Sequence, residues 1–582
     1  MLNDPRLILR NFLWRKKWAY LLSLLSIIIS EIVTVQFPNL IGKFTDSLSR
    51  GQLTMAGILH YMWLLALVGV AYVILYGLGQ FRNGQIGRQF EFELRKRMFL
   101  HWETLHTGYF RKRSVGDLLN HAMNDVRAVR EAMSGGLNIL TNSIFLLITT
   151  LWMTFSTISV TLTLASIIPL LFVPFFIVWW GPRIRLASRK VQESLSSMAD
   201  LSEESLASIR LIKTTGNESI EVGRFTNTVD TIVDRQMDMF KRSALFQSFI
   251  PLMGSLSFAI ALIYGGYLTA IHQIQLGMFV AFTLYLSMII TPLQQIGFVI
   301  NNFQRASASM ARLRTLLMEP PEIIDAKNAK TLRHALGEVN IDLDAFSYPD
   351  SSEPVLKQIH IHLQAGQTLG IVGRTGAGKT TLVNLLPRIF NPPDDSVFLD
   401  GFDVKTIKLT DLRRAIAYVP QDGFLFSAKV AENIGFGKKD PQFEEIEITS
   451  KDAHIYEDIM GFSKQFDTEI GERGIALSGG QKQRTAMARA FIKDAAVLIL
   501  DDSLSAVDMI TEKKIIERIR ELREGKTTII VAHRLSAVRH ADHIVVLDKG
   551  QIHERGTHAT LLKNNGIYSD IWRLQSEGEE LS

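Results

Sequence analysis

Six apolar stretches lie between Trp18 and Ile300: Trp18–Pro38, Ile58–Phe81, Leu137–Ser156, Thr161–Trp180, Phe246–Ala270 and Met278–Ile300. Each is close to the ~20 residues a helix needs to cross a ~30 Å hydrocarbon core. No water is available there to satisfy free backbone groups, which leaves helices and closed barrels, and a continuous rather than alternating apolar stretch of that length reads as a helix. The first half of the chain is thereby confined to a bundle of spanning helices.

The links between the stretches are uneven, and the long ones carry the charge. Residues 82–136 hold Arg82, Arg88, Arg95, Lys96, Arg97, Arg111, Lys112, Arg113, Arg127 and Arg130. Residues 181–245 hold Arg183, Arg185, Arg189, Lys190, Arg210, Lys213, Arg224, Arg235, Lys241 and Arg242. The short links after the third and fifth stretches contain neither Lys nor Arg. The positive-inside bias therefore places both long links and both termini in the cytoplasm. Leu195, Met198, Leu201, Leu206, Ile209 and Ile212 recur at helical spacing, so the long links read as helical arms. With a rise of 1.5 Å per residue, ~20 extra residues carry such an arm roughly 30 Å below the membrane. Leu2 to Lys17 is broken by Asp4, Pro5, Arg6, Arg10, Arg15, Lys16 and Lys17, and reads as an amphipathic segment on the cytoplasmic face rather than a cleavable signal.

Glu31 interrupts the first stretch. An ionisable group at membrane depth is costly and marks a functional site by default, with a headgroup contact or a structural pair as the alternatives. Trp179 and Trp180 read as interfacial belt residues. Phe246, Phe249, Phe258, Phe279, Phe282 and Phe298 line a cavity, pack, or face lipid.

The chain has 582 residues, too many for one core, and 47% of them are hydrophobic. Mean hydropathy is +0.14, which suits membrane helices joined to a soluble domain. Proline disfavours helix in the residue before it, so Glu319-Pro320-Pro321 ends the last helix. The expected division is a membrane domain over 1–320, a linker over 321–335 and a soluble domain over 336–582. A net charge of +5, with basic residues spread along the chain, argues against nucleic-acid binding. The absence of cysteine excludes disulfides, thiolate metal sites and cysteine nucleophiles.

The soluble half carries two phosphate motifs. Gly373-Arg374-Thr375-Gly376-Ala377-Gly378-Lys379-Thr380, with Thr381 next, is a P-loop. Its glycines let backbone N–H groups close round phosphates, and Lys379 reaches the outer ones. Thr368–Val372 reads as the strand before it and Lys379 onward as the helix after it, whose N-terminus adds its dipole to the phosphate site. Thr380 supplies a hydroxyl for Mg²⁺. Ala496–Leu500 reads as a buried strand ending in a metal carboxylate, Asp501. The second motif is Leu477-Ser478-Gly479-Gly480-Gln481, a loop opening a helix and offering donors to a phosphate.

These two motifs on a six-span chain resemble the ATP-binding cassette (ABC) exporters, specifically a half-transporter, and the resemblance runs along essentially the whole chain. It implies an all-α six-helix transmembrane domain of the type I exporter fold, followed by an α/β P-loop ATPase, with ATP and Mg²⁺ as ligands. By this resemblance Tyr348 stacks on adenine and Gln421 senses the γ-phosphate and ligates the metal. His533, in Ile530-Val531-Ala532-His533-Arg534, is the switch histidine. Ser505-Ala506-Val507-Asp508 is the D-loop. Thr468-Glu469-Ile470-Gly471-Glu472-Arg473-Gly474 contacts the arm tips, which fall around Ser114–Leu119 and Ile212–Glu218. Ser478, Gly480 and Gln481 hold ATP on an opposing subunit, so the active unit is a dimer in a bacterial plasma membrane with its ATPase domains in the cytoplasm. Most such exporters follow the metal aspartate with glutamate; here it is Asp502. That departure resembles the degenerate subunit of heterodimeric multidrug exporters, which move amphipathic small molecules with the help of a glutamate-bearing partner. A homodimeric lipid or drug flippase, and a subunit that holds ATP only to gate its partner, are the alternatives.

Overall fold

The computed structural model describes residues 4–351, 353–471 and 476–580. They fall into two compact units: Met1–Glu103 with Ser114–Glu319, and Thr104–Arg113 with Pro320–Ser582.

Among the described residues of the first unit, six helical segments are long and apolar enough to span a membrane. They are Pro5–Ser49, Met55–Trp102, Val115–Thr157, Val160–Ala207, Glu218–Ala270 and Leu276–Leu317. Each contains one of the apolar stretches and overruns it. Glu218–Ala270 runs for 53 residues, on the order of 80 Å at 1.5 Å per residue, well beyond the hydrocarbon core.

The first helix starts earlier than hydropathy alone suggests. Pro5 occupies its first turn, Asp4 caps it by accepting the Arg6 amide at 2.9 Å, and the helix continues unbroken to Thr34. Ile8 and Phe12 are buried, and Phe12 meets Phe90 edge to face at 5.3 Å. Arg15 pairs with Glu93 at 2.7 Å. The expected interfacial segment is therefore the lower end of a spanning helix, because its apolar side already has a protein partner. The helix breaks at Val35 and resumes over Gln36–Ser49; the Tyr285 hydroxyl donates to the Val35 carbonyl at 2.9 Å. Below the spans, buried Asp125 accepts from Ser309 at 2.8 Å and from Arg312 Nε at 3.0 Å, tying the third segment to the sixth.

The arm tips split between expectation and correction. Ile209–Thr215 ends at Gly216, whose φ of 69° turns the chain into Glu218–Ala270, so the second tip lies where it was read. The first does not. Ser114 is an N-cap for Val115–Asn120, accepting the Asp117 amide at 3.1 Å, and that helix stays in the first unit. The part of the arm that joins the second unit is Thr104–Arg113, with its short helix Thr107–Lys112. Partners hold it there: Lys112 reaches Asp350 at 2.5 Å, and His106 reaches Glu322 at 3.1 Å.

The last spanning helix closes at Leu317. Beyond it the second unit is organised by a six-stranded sheet in the order Gln551–Gly556, His543–Asp548, Thr368–Gly373, Thr527–Val531, Val497–Asp501, Ile416–Val419. All neighbouring pairs are parallel except the antiparallel edge pair His543–Asp548 with Gln551–Gly556. Val497–Asp501 and Thr527–Val531 are buried along their whole length, as strands covered on both faces must be. A four-stranded antiparallel sheet, Leu356–Leu363, Val339–Phe346, Val397–Leu399 and Phe402–Asp403, adds a second core. Parallel alignment brings the carboxyl ends of four strands together. The loops carrying Gly373, Asp501, His533 and Gln421 therefore emerge side by side, where α/β sheets bind ligands.

Candidate functional site

The P-loop backbone is shaped by close approach. A Cβ on Gly373 would stand 2.1 Å from the Leu547 carbonyl oxygen, so only glycine fits there. Gly376 and Gly378 take φ of 84° and 98°, and the Ala377 amide donates to the Arg374 carbonyl at 3.1 Å. Lys379 opens the following helix, and its Nζ donates to the Gly373 carbonyl at 2.8 Å and the Arg374 carbonyl at 3.1 Å. Burial pushes the Lys379 ammonium below its usual pKa range, while Asp502 and Asp501 pull the other way.

Next to it, the Thr380 hydroxyl donates to Asp501 Oδ1 at 3.0 Å and the Tyr418 hydroxyl donates to Asp501 Oδ2 at 2.9 Å. Burial raises the Asp501 carboxyl, and those two hydrogen bonds oppose the rise. Burial, with the Asp501 charge, also raises the Tyr418 phenol, which keeps it a donor. A hydroxyl and a carboxylate converging beside a phosphate loop fit a hard, oxygen-seeking divalent cation such as Mg²⁺. Tyr418 was missed as a site residue. It pairs with Ile499 across the parallel ladder, a register invisible in linear sequence.

Asp502 is 8% exposed, and its φ is 48°. Its Oδ2 accepts from Gln421 Nε2 at 3.4 Å and lies 4.0 Å from His533 Nε2; its Oδ1 accepts from the His533 amide at 3.4 Å. Three residues read separately in the sequence thus meet at one carboxylate. Tyr348 joins the P-loop side, sharing a hydrogen bond with the Thr381 hydroxyl at 2.7 Å. Its ring packs edge-on to Phe390 at 5.0 Å, with the Arg111 guanidinium 5.5 Å from its centroid.

The Ser478 loop is built on a different neighbour. Ser478 caps the helix Gly479–Phe491 by accepting the Gln481 amide at 3.2 Å, and Gln481 Oε1 accepts the Ser478 amide at 3.0 Å. Gln481 Nε2 donates to Asp458 at 2.8 Å, so this side chain serves the cap rather than pointing freely at a ligand. A Cβ on Gly480 would come 2.9 Å from the Ala506 carbonyl, and Gln483 Oε1 accepts the Ala506 amide at 3.0 Å. The helix Gly479–Phe491 and the D-loop segment Ser505–Asp508 are therefore coupled inside one chain, a link that Gln483 carries and that sequence reasoning missed. An open groove of about 730 Å³ runs beside them, lined by Gln421, Phe424, Phe426, Ile470 and Leu477. Phe424 is 66% exposed in it. Of the arm-contacting motif, Glu469–Ile470 pairs with Ala428–Lys429, while Glu472, Arg473 and Gly474 lie outside the described residues.

A bundle of spanning helices joined to a P-loop ATPase domain defines a membrane transporter driven by ATP. Comparison with known proteins agrees. Residues 20–293 match the family model "ABC transporter transmembrane region" and residues 356–505 match the family model "ABC transporter". The chain is 36% identical to the "Probable multidrug resistance ABC transporter ATP-binding/permease protein YheI" of Bacillus subtilis (strain 168), over 96% of this chain and 95% of that one. It is 33% identical to an "ATP-dependent lipid A-core flippase" of Nitrosococcus oceani, over 87% and 84% respectively. Its fold matches the "Structure of a bacterial Atm1-family ABC exporter with ATP bound" with a TM-score of 0.80 at 26% identity, covering 96% of this chain and 98% of that one. The chain belongs to the ABC transporter family, as a multi-pass half-transporter with fused transmembrane and ATP-binding domains.

Proposed function

We propose that the chain is one half of a heterodimeric multidrug exporter of the bacterial plasma membrane, with its ATPase domain in the cytoplasm. In this reading its own ATP site hydrolyses weakly, and it moves amphipathic small molecules. The observation that carries the reading is Asp502 at the position next to the metal carboxylate. Aspartate keeps the charge that polarises water but is one C–C bond of ~1.5 Å shorter than glutamate, and a displacement of ~1 Å can cost on the order of 10²-fold in rate.

The site residues take roles accordingly. Gly373–Thr381 cradle the phosphates of ATP, and Tyr348 faces adenine. Thr380, Asp501 and Gln421 would hold Mg²⁺, which supplies charge neutralisation at the phosphates when bound. Asp502 orients the water and His533 holds the γ-phosphate end. Ser478 and Gly480 face the partner's ATP and complete the partner's competent site. The membrane domain extends to residue 320, 321–335 is the linker, and the ATPase domain is 336–582, with Thr104–Arg113 grouped with the second unit.

A second reading is a homodimeric flippase. It is favoured by the flippase relative. A purely regulatory subunit would hold ATP without turnover, so single-turnover hydrolysis at this site compared with transport in the assembled complex separates it from a transporter half. Purifying the tagged chain from its own membrane and identifying what accompanies it tests the leading reading. A second half-transporter with glutamate after its metal aspartate is the expected result; recovery of this chain alone overturns it.

A further inference from the structure

The loop that carries His533 is pinned from two sides in alternation. On one side stands the helix Met509–Leu522, which follows Asp508. Its Glu512, 2% exposed, accepts from Arg534 Nη1 at 2.8 Å and from the Ser536 hydroxyl at 2.6 Å. Arg534 Nη1 also donates to the Val507 carbonyl at 3.1 Å. On the other side stands the helix Ile567–Glu580. Its Gln575 donates through Nε2 to the His533 carbonyl at 2.7 Å and accepts through Oε1 from the Leu535 amide at 3.0 Å. One side-chain amide thus grips residues 533 and 535, and one carboxylate grips residues 534 and 536.

This matters because the His533 ring has little else to place it. Its side chain is 39% exposed, and Nε2 lies 4.0 Å from Asp502, beyond hydrogen-bond range. The ring goes where the backbone at residue 533 directs it, and that backbone is held by Gln575 at its carbonyl (2.7 Å) and by the longer Asp502 contact at its amide (3.4 Å). A side-chain amide pairing with a C=O and an N–H two residues apart repeats the bonding a neighbouring strand would supply, so it fixes direction as well as distance.

We infer that Gln575 is a positioning residue for the switch histidine, through which the C-terminal helix sets how well this subunit distinguishes ATP from ADP. The inference rests on the role of His533 proposed above. A cavity of about 180 Å³ separates the two grips, lined by Glu512, Ser536, Trp572 and Gln575. The cavity leaves room beside Gln575 for an altered side chain, and thermal unfolding of each variant checks that its fold is kept.

The test uses the full chain in its purified complex. ATP and ADP compete against photolabelling of this chain by 8-azido-ATP, which yields the ATP-over-ADP preference of its own site. Gln575→Met keeps length and volume but removes both hydrogen bonds. It is expected to lower that preference about tenfold, the scale of one charge-assisted hydrogen bond lost, and to leave ADP affinity unchanged. Gln575→Glu keeps the acceptor for Leu535 but sets an acceptor against the His533 carbonyl, and should fall at least as far. His533→Ala should lower the preference as much, and adding Gln575→Met to it should lower it no further. A normal preference in Gln575→Met beside a lost one in His533→Ala overturns the inference, as does an equal fall in ATP and ADP affinity. A normal preference in His533→Ala instead removes the role of His533 itself, and is distinguishable on that ground.

Discussion

The Asp502 carboxylate accepts the His533 backbone amide on Oδ1 at 3.4 Å, while the His533 ring stands off, its Nε2 4.0 Å from Oδ2. The amide contact joins the loops after two adjacent parallel strands, Val497–Asp501 and Thr527–Val531, while Gln421 adds the loop after a third. The carboxylate is anchored from several sides and has little freedom to swing forward. Its reach is set by the length of its side chain.

Removing the Asp502 charge and blocking the Leu477–Gln481 loop should have unequal effects. Asp502→Asn should lower steady-state ATP turnover of the complex only modestly, because the partner's site carries most of the hydrolysis. Gly480→Asp should all but abolish turnover, but its Cβ would also press on the Ala506 carbonyl at 2.9 Å within the same chain. Ser478→Asp is the cleaner probe, since aspartate caps a helix as well as serine and adds only a negative charge against the partner's phosphate. ATPase rates of the purified variants decide between the two readings. If Asp502→Asn is as inactive as Ser478→Asp, this subunit's site is a main catalytic one and the asymmetric reading is wrong.

Lengthening the side chain is the complementary change. Asp502→Glu, in a complex whose partner site has been silenced, should raise the residual ATP turnover by roughly tenfold, part of the on-the-order-of-10² penalty for a ~1 Å misplacement. The gain should come with a small loss of thermal stability, because a φ of 48° suits aspartate better than glutamate. Unchanged turnover would mean that reach does not limit this site.

Lys379→Ala removes a buried ammonium that bridges the Gly373 and Arg374 carbonyls. Nucleotide affinity at this subunit's own site should fall by at least about tenfold, through the lost charge-assisted phosphate contact. Equilibrium binding of a fluorescent ATP analogue measures it, and wild-type affinity would count against the P-loop assignment.

Glu31 is 1% exposed, and the Asn142 side-chain amide donates to its Oε1. Glu31→Gln keeps an oxygen for that hydrogen bond while removing the ability to carry charge at membrane depth. Apparent affinity for cationic substrates should shift, with neutral substrates and basal ATP hydrolysis unaffected. Identical transport of both substrate classes before and after the change would leave Glu31 as a structural partner of Asn142 alone.

Length and hydropathy by themselves determined the six spans, because a continuous apolar run of ~20 residues fits a spanning helix, whereas a barrel strand needs only ~9–11 alternating ones. Lys and Arg counts in the links determined an expected orientation. The spacing of Gly373, Gly376, Gly378 and Lys379 made the phosphate loop legible, since a chain closing on phosphate needs residues free of Cβ at those points. Contacts between residues far apart in the chain were not legible in this way. Only the tertiary structure decided that Tyr418 holds Asp501, that Gln481 serves a helix cap, and that Ser114 caps a helix while Thr104–Arg113 joins the second unit. It alone showed the left-handed backbone at Asp502 and the grip of Gln575 on the His533 loop, 42 residues away in sequence. Periodicity and motif spacing record what a residue does for its own segment. Side-chain partners across parallel strands and packed helices depend on register and crossing geometry, which exist only once the chain has folded.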